Sequence, residues 1–152
     1  MRLETKTAAI SGSRVRYLHG GKGEPLLFLH GWPTNPLSYK HALTLLAQSF
    51  TVYAPFMFDM KCRNIHEIAA SVKILIKELG LRKVAVVGIS FGGMVASILA
   101  QNKKLVSQLV LINTGGVPRQ ASFAKMFMNM LKSSSFMLLQ GNVEHIIHRL
   151  SA

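Results

Sequence analysis

Cysteine is nearly absent from this 152-residue chain. Cys62 stands alone, so no disulfide forms within the chain and packing must hold the fold together, as expected of a reducing, cytoplasmic compartment. Acids are scarce too, six against 18 Lys and Arg, and Asp59 is the only aspartate. No run approaches 18 apolar residues, and residues 1–10 lack the apolar stretch of a signal peptide, so no integral membrane segment is expected. The formal charge of +12 points in principle to nucleic acid or an anionic membrane. The basic residues are scattered, however, with no run longer than Lys103-Lys104 and no interleaved aromatics, so no phosphate-binding footprint forms and no nucleic-acid partner is expected. Neither a metal nor a cofactor is expected.

What is present is apolar: 49% hydrophobic against 16% charged residues, enough for one domain with a real core. The β-branched run Val84-Ala85-Val86-Val87 reads as a buried strand, and the apolar and small residues after Gly93 read as a helix. Between them lies Gly88-Ile89-Ser90-Phe91-Gly92, a G-x-S-x-G pattern. Its glycines permit a tight strand-to-helix turn that lifts the serine hydroxyl clear of the backbone.

The rest of the chain alternates in the same way. Residues 3–10 and 13–19 predict an amino-terminal hairpin around Ser11-Gly12. Gly20-Gly21-Lys22-Gly23 reads as a plain turn, since no helix start and no Gly-Lys-Ser/Thr ending follows. Residues 26–29 and 51–54 predict strands, 37–48 a helix after Pro36, 65–79 an amphipathic helix closed by Gly80, and 106–112 a further buried strand. Strands alternating with helices of this length imply a mostly parallel α/β sheet with flanking helices. Beyond Arg119 the pattern changes to a stripe of Phe123, Met126, Phe127, Met130 and Leu131 on one helix face, followed by shorter helical pieces. The expected organisation is therefore a core over 1–118 and a partial helical lid over 119–152.

By its order of elements and two motifs the chain resembles the α/β-hydrolase superfamily, specifically the amino-terminal half of its esterase- and lipase-like members. Leu26-Leu27-Phe28-Leu29-His30-Gly31-Trp32-Pro33 resembles the third strand and oxyanion loop. Residues 84–93 resemble the fifth strand and nucleophile elbow, and 109–113 the sixth strand. The resemblance implies Ser90 as nucleophile, the backbone amides of Trp32 and Phe91 as oxyanion donors, and a substrate pocket at His30, Gly31, Trp32 and Phe91. The implied substrate is a small carboxylic ester with an apolar moiety. Serine at the elbow separates the chain from the haloalkane dehalogenases and epoxide hydrolases that it resembles at His-Gly-Trp-Pro-Thr, which place aspartate there.

The resemblance also implies an acid after a seventh strand and a histidine after an eighth, and neither strand is read here. After Ser90 the only acid is Glu144 and the only histidines are His145 and His148, within one predicted helix where Glu144 and His148 pair only as a surface contact. Asp59 and His148 are therefore weak candidates for acid and base, and this chain alone is expected to turn over little. His30 is expected to brace the oxyanion loop, while His19, His41 and His66 read as surface positions. The connection 55–64 departs from the glycine-rich loop expected after the fourth strand, since no glycine lies between Gly31 and Gly80. Without further strands the sixth is an exposed apolar edge, which a homodimer, another partner or a continuation of the chain would cover. The competing reading is a non-catalytic module that uses this fold to bind an apolar ligand or a protein.

Overall fold

A computed structural model describes residues 2–114. The expected lid, with Glu144, His145 and His148, lies outside the described residues. Six strands, β1 (Glu4–Ile10), β2 (Ser13–Gly21), β3 (Pro25–Leu29), β4 (Thr51–Pro55), β5 (Val84–Ile89) and β6 (Val106–Ile112), form one sheet in the order β1-β2-β4-β3-β5-β6. The β1–β2 and β2–β4 pairs are antiparallel, and β4, β3, β5 and β6 run parallel. The mostly parallel sheet with flanking helices is thus present as the sequence implies.

Three helices flank it: α1 (Lys40–Leu46), α2 (Ile65–Glu78) and α3 (Phe91–Ala100). On α2, Ile65, Ile68, Ala69, Val72, Leu75 and Ile76 recur at helical spacing and are all buried, each large side chain worth about 1.5–3 kcal/mol. Asn64 caps the helix by accepting from Glu67 N–H at 3.0 Å. Helices α2 and α3 share one core with Leu27, Leu29, Val84 and Val86. The opposite face carries a smaller core in which Leu43 and Ala47 pack on Leu26, Phe28 and Val52.

Two expectations need correction. The helix expected over 37–48 is a 3-10 turn, Pro36–Tyr39, followed by only seven α-helical residues, because Pro36 and the Asn35 cap start a tight turn first. His19 is not a surface residue but half-buried, its ring 4.8 Å from Tyr53 and 6.3 Å from Tyr17. Burial there pushes its pKa below the ordinary histidine value.

Candidate active site

The elbow is built where β5 meets α3. Ser90 adopts φ 50° and ψ −114°, a left-handed backbone that L-residues avoid and that stores about 1–3 kcal/mol. The Ser90 N–H donates to Ile112 O at 2.9 Å, so the end of β6 holds the turn, and the Ser90 side chain stays exposed. Both motif glycines are required by close approach. A Cβ on Gly88 would lie 2.6 Å from Gly93 Cα, and one on Gly92 would lie 2.6 Å from His30 O. Hence α3 folds back onto its own strand on one side and onto the end of β3 on the other.

That second approach brings the two motifs together. A Cβ on Gly31 would sit 3.4 Å from Ser90 Cβ, so the loop after β3 abuts the elbow directly. His30 is fully buried and fixes this loop. Met57 N–H donates to its Nε2 at 3.2 Å, which leaves the proton on Nδ1 to donate to Gly31 O at 2.9 Å. Thr34 Oγ1 donates to the same carbonyl at 2.8 Å. With Gly31 O held on that side, the planar trans peptide directs the Trp32 N–H to the other. Phe91 opens α3, where the helix dipole favours negative charge. Burial lowers the His30 pKa and both ring nitrogens are committed, so His30 is a neutral brace of the loop rather than a free base.

Phe58 was not singled out by sequence reasoning. It lies in the 3-10 turn Met57–Met60 after β4, its ring 5.4 Å from His30 and 5.8 Å from Phe91. The stacked Phe58 and Phe91 rings thus flank the elbow, Phe91 following Ser90 directly; the only advance signal was the unusual connection 55–64. Asp59, next in the chain, makes no hydrogen bond to a histidine among the described residues. Its Oδ2 accepts from Arg16 Nε at 2.8 Å and its Oδ1 from Arg16 Nη2 at 2.9 Å, which holds its carboxyl below the usual range. The Cys62 thiol donates to Met60 O and lies 3.4 Å from Ser71 Oγ, which ties the turn after β4 to α2. Among the described residues no group of three or more His, Cys, Asp or Glu is placed to hold a metal, and no helix is long and apolar enough to cross a membrane.

A strained serine thus stands between β5 and α3, with a braced Gly-Trp loop against it, at the carboxyl end of the parallel strands. The sequence profile of the alpha/beta hydrolase fold matches residues 24–147, and the chain belongs to that family. It is 34% identical over 114 residues to the soluble epoxide hydrolase of Corynebacterium sp. (strain C12), 70% of this chain and 40% of that protein. Among solved structures it resembles the epoxide hydrolase CorEH without ligand, with 32% identity and TM-score 0.70 over 80% of this chain and 47% of that one. A membrane phospholipase A, a bacterial virulence factor, shares the fold at TM-score 0.71 and 21% identity, with 84% of this chain and 45% of that one covered. The chain therefore spans less than half the length of these relatives.

Proposed function

We propose that the chain is the nucleophile-bearing portion of a serine hydrolase acting on carboxylic esters with an apolar moiety. The observation that carries this reading is the contact between the Gly31–Trp32 loop and the strained Ser90 elbow. Ser90 Oγ attacks the ester carbonyl, and the amides of Trp32 and Phe91 stabilise the resulting oxyanion, each worth about 3 kcal/mol in the transition state. The acid and base come from outside residues 2–114.

The epoxide hydrolases among the relatives raise a sharper question, because their chemistry does not transfer to a serine. Opening an epoxide with an aspartate leaves an alkyl ester, whose carbonyl carbon water attacks to release the diol. Opening it with Ser90 Oγ leaves an ether with no carbonyl, and turnover stops. An ester substrate instead leaves an acyl-serine, which retains a carbonyl for water to attack. Serine at this position therefore supports ester hydrolysis over epoxide hydrolysis. The test is a p-nitrophenyl butyrate burst: p-nitrophenol released in proportion to protein and absent from Ser90→Ala supports the reading, and equal release from both proteins overturns it.

A second reading is favoured by the open β6 edge and by the absence, among the described residues, of a histidine beside Ser90. In it the fold is a non-catalytic module, with a homodimer or another partner on that edge. A stable monomer that binds an apolar ligand and never acylates would establish it.

A further inference from the structure

A groove of about 490 Å³ lies over β1, β2 and the turn after β4, with β4 and β3 between β2 and the strand that carries the elbow; it is lined by Thr7, Arg14, Arg16, Phe58, Asp59 and Lys61. Its size is that of a small-molecule site. Arg14 and Arg16, two residues apart on β2, project to the same face of the sheet, and Thr7 lies directly across from Arg16 on β1. Asp59 fixes Arg16 through both carboxylate oxygens and also accepts from its backbone N–H at 3.1 Å, while the guanidinium carbon sits 4.4 Å from the Phe56 ring centre. That pair is electrically neutral. Arg14 and Lys61 are not, because the ion pairs among the described residues are Arg16–Asp59 and Arg63–Glu67. Lys61 ends the 3-10 turn in a left-handed conformation at φ 51°.

Phe58 is the aromatic wall among the described residues. It is 38% exposed and its other side stacks on Phe91, the residue after the nucleophile. The groove therefore carries two unpaired positive side chains and one aromatic wall, and the far side of that wall packs on the residue after Ser90. We propose that it binds the anionic head of an amphiphilic ligand, with the head held by Arg14 and Lys61 and the alkyl chain lying across Phe58 toward the elbow. Resting on the hydrolase reading, this makes the substrate an ester that carries an oxyanion, a phosphate or a carboxylate, at some distance from the scissile bond.

The test is calorimetric titration of the whole chain with octyl phosphate, octanoate and octanol at about 0.15 M salt, a concentration that screens diffuse surface charge. Both anions bind more tightly than octanol, and whichever binds more tightly names the head group. Arg14→Gln/Lys61→Gln lowers affinity for the tighter anion roughly tenfold or more and leaves octanol binding unchanged. Arg82→Gln/Lys83→Gln, exposed at the far end of β5, leaves anion binding as it was. Anions that bind no better than octanol, or equal losses in the two double variants, overturn the proposal. Ser90→Ala separates the two readings: anion binding that survives in it while the wild type shows no ester burst removes only the hydrolase reading. A burst without anion preference removes only the groove.

Discussion

β5 and β6 are neighbouring parallel strands of similar apolar composition, yet they have opposite environments. In β5 every second residue is buried and the others are half-buried, between β3 and β6 and beneath α3. In β6, Leu109, Val110, Leu111 and Ile112 are 39–50% exposed, on both faces. On the α1 side, Val110 and Ile112 line an open apolar groove of about 350 Å³ together with Phe28, Tyr39, Leu46 and Phe50. A strand with apolar residues on both faces is suited to burial on both, so β6 is composed for neighbours that residues 2–114 do not supply. Ser90 sits at the end of the finished strand, and the unfinished one holds its backbone through Ile112 O. The site is held on the side that carries Ser90 and open along β6.

The largest effect that tests this contrast is at the seam between α3 and β3. Gly92→Ala drives a methyl group into backbone atoms of Leu29 and His30, neither of which can yield, and should cost about 3 kcal/mol or more in urea unfolding. His30→Ala follows at about 2–4 kcal/mol, since it opens a cavity and orphans Met57 N–H and one bond to Gly31 O. The lowered pKa of His30 gives a pH signature. The unfolded chain takes up a proton below about 6.5 that the folded one resists, so wild-type stability should fall as pH drops from 7.5 to 5.5. Stability that is flat across that interval would remove the neutral brace.

The strands themselves give the next comparison. Val86→Ala on β5 should cost about 2 kcal/mol, and Leu111→Ala on β6 about 0.5 kcal/mol. Equal costs would mean that β6 is covered in solution. The smallest effect is a gain: Ser90→Gly relieves the left-handed backbone and should add about 1 kcal/mol of stability while removing the hydroxyl.

Much of this was legible in the sequence because it is written in short patterns. Alternation and β-branched runs placed all six strands within a residue or two, and the two glycine motifs placed the loop and the elbow. The aromatic and charged surroundings were not legible. Arg16 and Asp59 meet across 43 residues of chain, and Phe58 reaches Phe91 only because β4, β3 and β5 are adjacent in the sheet. Such contacts have no local period to betray them. Asp59 therefore read as a weak catalytic acid, whereas in the fold it is the partner of an arginine.

The most direct measurement of the central claim is intact mass after incubation with a fluorophosphonate, followed by peptide mapping. A competent Ser90 predicts one adduct per chain, mapped to the peptide bearing Ser90 and absent from Ser90→Ala and Ser90→Gly. No adduct, or an adduct that persists in those variants, would contradict it.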